Sequence, residues 1–267
     1  MINGKRVLHF SEHEDHREHQ FKRIWANELD DVFTDVARYY DRANHIATLG
    51  LRNWLHESFL STIQLRSGQK VLDVCAGTNA IGIATLHKQS DLDVHALDRS
   101  KAMQEVGQQR ARKQGMEIKS FIGDAHSLPF TDNHFDVVTL QYASRHLRIL
   151  DVCREVHRVL KPDGHFYHCD MLRPTNKIVE KAYYLYLRAC LTFTAFLFRS
   201  GPAALNCREY FISALKMFYS ADELSQMLYH VGFVTVSSKT VLGGTVGFHR
   251  AAKANSRGTT GVRPECE

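Results

Sequence analysis

Three acidic residues stand at comparable places in the chain, and their spacing is where chemistry is legible first. Asp73 lies in the run Val71-Leu72-Asp73-Val74-Cys75, Asp98 ends the run that begins at Val94, and Asp124 sits in Gly123-Asp124-Ala125. Directly after the first run comes Ala76-Gly77-Thr78. A small loop that opens a helix lets backbone N–H groups approach a ligand, and Gly77 allows that approach. A carboxylate such as Asp98, 25 positions after Asp73, can accept both hydroxyls of a ribose at a strand end. Asp124 can accept the amino group of an adenine. Singly, each acid reads as a turn residue; in this order, together, they read as a nucleoside site.

Two kinds of nucleoside ligand compete. A dinucleotide wants G-x-G-x-x-G, so that its pyrophosphate can lie on the helix. The chain has Ala76-Gly77-Thr78-Asn79-Ala80-Ile81-Gly82 instead. S-adenosylmethionine carries no phosphate and tolerates other loops, and Asp73, Gly77, Asp98 and Asp124 suit it.

The elements that must carry these residues alternate. Val71 to Cys75, Val94 to Asp98, Ile118 to Ile122, Phe135 to Leu140 and His165 to Cys169 are predicted strands. Ala80 to Gln89, Ser100 to Lys113 (capped by Ser100) and Ile149 to Leu160 are predicted helices. Lys161-Pro162-Asp163-Gly164 reads as a turn. Ala221 to Val231 reads as a helix, followed by strands Phe233 to Ser238 and Thr245 to His249 around Gly243-Gly244. This is the α/β pattern of a parallel, doubly wound sheet with right-handed crossovers and an antiparallel edge hairpin. Ligands of such sheets sit beyond the carboxyl ends of the strands.

Composition narrows the class. The 267 residues are 44% hydrophobic and 24% charged, which is globular. Net charge is 34 − 29 = +5, too diffuse to argue for nucleic acid. Cys75, Cys153, Cys169, Cys190, Cys207 and Cys266 form no C-x-x-C pair, so reduced thiols of a cytoplasmic protein are expected. Residues 1–30 are polar and carry His9, His13, His16 and His19; they read as a loosely packed or disordered lead-in, with no metal assigned. Residues 31–253 read as the folded domain and 254–267 as a disordered tail.

At this point the sequence resembles the UbiE/MenG family, the C-methyltransferases of ubiquinone and menaquinone biosynthesis. The matching stretches are VFTDVARYYDRANHIATLG (32–50), VLDVCAGT (71–78), GDAHSLPFTDNHFDVVTLQYASR (123–145), EVHRVLKPDGHFYHCDMLRP (155–174), MFYSADELSQMLYHVGF (217–233) and GGTVGFHR (243–250). The resemblance implies a Rossmann-like, seven-stranded class I methyltransferase fold with helices on both faces, binding S-adenosylmethionine. By motif position it places Thr78, Asp98, Asp124, Ala125 and Gln141 along the cofactor, and Tyr40 and Arg145 in the active site. Where the family has Gly-Gly-Thr-Gly, this chain has Ala76-Gly77-Thr78-Asn79. Asn79 tolerates a positive φ and so keeps the turn.

The implied reaction sets a further demand. A quinol carbon is a poor nucleophile until an adjacent hydroxyl loses its proton, so the site needs a base or a cation that lowers the phenol pKa. Arg145 suits the cation and His146 the base. Residues 171–220 read as an apolar lid insertion. Within it, 182–198 (AYYLYLRACLTFTAFLF) is too short to span a bilayer and carries a central Arg188. It reads as a lid helix or as a peripheral membrane contact that a prenylated quinol would use. A homodimer or a biosynthetic complex is also expected. The rival readings are a methyltransferase of another small molecule and a non-catalytic protein of the same fold.

Overall fold

Short β-branched and apolar runs flanked by turn residues build the central sheet. The computed structural model describes residues 9–37, 40–48, 50–197 and 208–255. Its strands are β1 (Lys70–Val74), β2 (Asp93–Asp98), β3 (Lys119–Ile122), β4 (Phe135–Gln141), β5 (Leu160–Met171), β6 (Phe233–Val241) and β7 (Val246–Lys253). They form one seven-stranded sheet in the order β3-β2-β1-β4-β5-β7-β6. The first five are parallel, and β7 runs antiparallel between β5 and β6. Strands β1 and β4 lie in the interior, so VLDV and VVTL are buried on both faces and the polar Asp73 and Thr139 pair with each other. The order reverses between β1 and β4, and this opens a crevice at their carboxyl ends.

The helices in chain order are α1 (Phe10–Arg23), α2 (Leu29–Val36), α3 (Tyr40–Ala47), α4 (Arg52–Thr62), α5 (Ala80–Lys88), α6 (Lys101–Lys113), α7 (Ile149–Val159), α8 (Lys177–Leu197), α9 (Arg208–Lys216) and α10 (Ala221–Val231). Ser100 caps α6 by accepting from the Met103 amide. Ser220 and Glu223 form a capping box on α10, which ends at Gly232 with φ 113°. On one face of the sheet Leu72, Leu140, Val156 and Met227 pack together; on the other, Phe59, Val71, Ile81 and Phe248 do so. Each such buried side chain contributes roughly 1.5–3 kcal/mol.

Two expectations change here. Lys161 to Gly164 is not a free turn. It is a bulge inside β5, with a register shift opposite Phe135 and Val137 and with Asp163 at φ 62°. The lead-in is not loose over residues 10–23. It is helix α1, with Phe10, Glu14, Arg17 and Phe21 buried. Residues 1–8 of that expectation, and 256–267 of the expected tail, lie outside the described residues.

The apolar insertion forms α8, and Val179, Tyr183 and Leu187 line a cavity above the sheet. Leu185 and Phe196 on the same helix are 72% and 83% exposed. Among the described residues no helix is long and apolar enough to cross a membrane.

Candidate active site

The loop after β1 is held open by its neighbours. Asp98, at the end of β2, accepts from the Gly77 amide (2.8 Å) and from the Ser100 amide (2.8 Å). Gly77 sits at φ 52°, and a Cβ built there would meet nothing within 4 Å. Asn79, at φ 57°, starts α5 in the left-handed region, the conformation its side chain tolerates. Gln104 Nε2 donates to the Gly77 carbonyl (3.1 Å) and to Asn79 Oδ1 (3.0 Å). Gly107 of α6 backs the loop: a Cβ there would lie 2.7 Å from Asn79 Cγ and 2.9 Å from the Thr78 backbone.

In front of this loop lies a cavity of about 770 Å³. Its walls are mostly apolar, from Leu55, Ile81, Tyr186, Leu191, Phe211 and Ile212. Asp73, Gly77, Thr78 and Gln141 stand on its sheet side. Asp73 is buried and accepts from Thr139 Oγ1 (2.7 Å); burial pushes its carboxyl up to about 7. Gln141 Nε2 is buried with no hydrogen-bond partner. Thr78 is fixed by Arg110, whose Nη1 donates to Oγ1 (2.9 Å) and to Asp41 (2.6 Å). Asp41 also accepts from Arg52 (2.7 Å). The loop is thereby tied to α3 and α4.

The cavity wall also carries a cation. Arg145 Nη1 donates to Asp170 Oδ1 (2.6 Å) and to the Tyr142 carbonyl (2.9 Å). Asp170 is fully buried at the end of β5, and its other oxygen accepts from the Ser144 amide (2.8 Å) and hydroxyl (2.7 Å). Behind it, His168 faces Ser144 Oγ (2.6 Å) and His249 Nδ1 (3.3 Å); burial and the His249 neighbour press His168 well below the usual histidine range. Tyr40 and Tyr183 line the cavity and share the electrostatic field of Arg145. Burial raises both phenols, so they stay protonated at neutral pH. The Tyr183 hydroxyl is buried without a partner.

The structure brings together Asp73, Gly77, Thr78, Gln141, Tyr40 and Arg145 on one cavity. It does not bring His146 there. His146 is buried behind the turn, its Nδ1 2.7 Å from the Tyr210 hydroxyl, which also accepts from Trp25 Nε1 (2.8 Å). Burial and the nearby Arg145 and Arg17 hold its imidazole far below the ordinary range. A base role for His146 is therefore corrected to a packing role. The histidine on the cavity wall is His56 of α4, which burial and Arg52 hold below the ordinary histidine range. Asp98, Asp124 and Ala125 lie at the same edge of the sheet but outside this cavity. Asp124 is two-thirds exposed and holds the His126 amide (2.9 Å) and ring (2.6 Å); Ala125 is in the core. Asp41, Arg52, Asp170 and Tyr183 are additions that the sequence reading had not singled out as site residues. Of these, Asp170 carried a signal, an acid at a strand's carboxyl end.

Comparison with known proteins places this geometry. The model of the ubiE/COQ5 methyltransferase family matches residues 21–253. A demethylmenaquinone methyltransferase of Lactobacillus johnsonii is 32% identical over 219 residues, covering 80% of this chain and 88% of that protein. The ubiquinone/menaquinone biosynthesis C-methyltransferase UbiE of Dinoroseobacter shibae is 29% identical over 228 residues, covering 83% and 89%. Among solved structures, a SAM-dependent methyltransferase of Thermotoga maritima shares the fold with a TM-score of 0.58 at 15% identity, over 84% of this chain and 98% of that one.

Proposed function

The chain belongs to the ubiE/COQ5 methyltransferase family and is an S-adenosylmethionine-dependent methyltransferase, and from that premise we propose that its acceptor is a prenylated benzoquinol or naphthoquinol, methylated at a ring carbon. The observation that carries this reading is a mostly apolar cavity of about 770 Å³ whose wall holds a buried guanidinium in the electrostatic field of two phenols. An apolar tail fits the walls, and a quinol oxygen fits the cation. Incubation with the cofactor and a ring-unmethylated prenylated quinol, with the methylated position read from the product, tests it.

The residues present fit the cofactor. Gly77 leaves open space where a side chain would intrude, and Gln141 Nε2 is a buried donor still lacking an acceptor. Thr78 and Asp73 complete that wall, and Asp98 fixes the Gly77 amide in place. When bound, the cofactor supplies an already activated sulfonium methyl. Asp124 and Ala125 are retained in this proposal as flanking residues on the nucleoside side. The chain's remaining task is to align the acceptor and raise its nucleophilicity. Arg145 faces the acceptor oxygen with a permanent charge, which stabilises the phenolate over the phenol. Tyr40 and Tyr183, kept protonated, donate to the same oxygen. The lid helix α8 excludes water.

Asp73 links this binding to pH. Its carboxyl is raised to about 7, so near neutrality it is half protonated. A cationic sulfonium beside it favours the carboxylate, so binding expels a proton and weakens as pH falls below 7. The dissociation constant should rise about tenfold between pH 8 and pH 6. Calorimetry in buffers of different ionisation enthalpy would read the released proton. A pH-independent affinity with no proton release would contradict the assignment.

The cavity mouth supports a peripheral membrane contact. Leu51, Ile178 and Leu242 line the cavity, yet are 42%, 81% and 47% exposed, and Lys177 and Lys181 are exposed beside them. Such a rim suits a substrate drawn from a lipid surface. Flotation with anionic vesicles should carry the protein upward, and high salt should weaken this. Protein left at the bottom of the gradient would remove the membrane proposal.

A further inference from the structure

The His-rich segment near the N-terminus has no part in the reaction as derived so far, yet its helix holds a wholly buried ion pair. Phe10, Glu14, Arg17 and Phe21 are spaced as one stripe of α1, with two charges in its middle. Arg17 Nη1 donates to Glu14 Oε1 (2.6 Å), and both side chains are 0% exposed. The Tyr219 hydroxyl donates to the same oxygen (2.8 Å). The guanidinium lies over the rings of Trp25, Phe218 and Tyr219. Arg17 Nε and Glu14 Oε2 remain unpartnered. A buried pair with unmet hydrogen bonds is a poor source of stability, since apolar residues of similar volume often do as well.

What the pair does hold is position. Arg17 Nη2 donates to the Arg145 carbonyl (2.9 Å), 128 residues away. Three residues further along the same turn, Arg148 is gripped by Asp15 (2.8 Å) and Glu18 (2.6 Å), both on α1. Beyond α1, the Trp25 carbonyl accepts from Arg99 (2.8 Å), the residue after Asp98. The N-terminal helix therefore straps the turn that carries the acceptor-side cation, and the chain just beyond it touches the turn after β2.

We propose that Arg17 is a positioning residue for methyl transfer: through the Arg145 carbonyl, α1 fixes the 144–148 turn and so the Arg145 guanidinium at the acceptor end of the cavity. This rests on the role given above to Arg145. The test compares Arg17→Met, Arg17→Lys, Arg17→Ala and Arg145→Met with a ring-unmethylated prenylated naphthoquinol as acceptor. Arg17→Met should lower kcat about 10- to 100-fold, the effect of a small misplacement of a catalytic group, with cofactor affinity unchanged. Arg17→Lys should fall between. Millimolar guanidinium ion should restore part of the turnover lost by Arg17→Ala, which a merely space-filling role would not allow. The Arg145 side-chain nitrogen resonance should shift or broaden in Arg17→Met, a readout that needs no turnover.

Wild-type kcat in Arg17→Met beside an inactive Arg145→Met would overturn the strap alone. Full activity in Arg145→Met would overturn the parent reading, and the resonance would still report the strap. If Arg17→Met does not fold, wild-type kcat in Arg17→Lys together with no guanidinium rescue of Arg17→Ala would overturn the proposal.

Discussion

Arg145→Met should lower kcat by about 10²- to 10³-fold, the loss seen when one preorganised group facing developing negative charge is removed, while the affinity for S-adenosylmethionine stays within about twofold. The first half follows from what Arg145 faces. In the proposed reading it is the guanidinium that meets the acceptor, and Tyr40 and Tyr183 share its field. Neither phenol can replace it, because a phenol offers a neutral donor and no positive charge. The second half follows from what holds the cofactor loop. Asp98, Gln104 and Arg110 fix Gly77 and Thr78 without help from Arg145. Steady-state kinetics and calorimetry separate the two. A parallel loss of cofactor affinity would contradict the division of the cavity into a donor side and an acceptor side.

Asp170→Ala should be the most destabilising change at the site. The Asp170 carboxylate is 0% exposed. It accepts from Arg145, from the Ser144 amide and hydroxyl and from the Met171 amide. Its removal leaves a buried guanidinium and a buried turn amide without their acceptor. Breaking a buried pair from one side costs about 3–5 kcal/mol, which in a chain of this size lowers Tm by roughly 6–20 °C. Asp170→Asn keeps the shape and one acceptor oxygen, so it should lose less. Thermal unfolding checks both. A Tm for Asp170→Ala within about 2 °C of wild type would mean that the Arg145 turn is held by other contacts.

These two residues also show how far the sequence reading reached. The strands were legible because VLDV, VHALD and FDVVTL are short apolar runs closed by turns. Asn79 was legible because it stands where the resembled family has a glycine and tolerates a positive φ, and it has one. Arg145 was reached through a family motif, whereas Asp170 carried only the weak signal of an acid at a strand's carboxyl end, and its pairing with Arg145 emerges once β5 lies beside the turn.

The misreadings share one cause: burial by partners remote in the chain. His146 looked like a titratable base, but Phe33 and Tyr210 pack against it from positions far before and after it. Glu14 and Arg17 looked solvated, since nothing local predicts that Tyr219 and the Arg145 carbonyl will receive them. Asp124, which the proposal keeps on the nucleoside side, is a different case: it is two-thirds exposed and pairs locally with His126, two residues on.

The central claim is that the cavity joins a sulfonium methyl to a quinol ring carbon. The most direct measurement incubates the purified protein with S-adenosylmethionine carrying a deuterated methyl and a ring-unmethylated prenylated quinol, and locates the label by mass fragmentation. The account predicts label on a ring carbon, with turnover collapsing in Arg145→Met. Label on an oxygen, or no labelled quinol from protein that binds the cofactor, would contradict it.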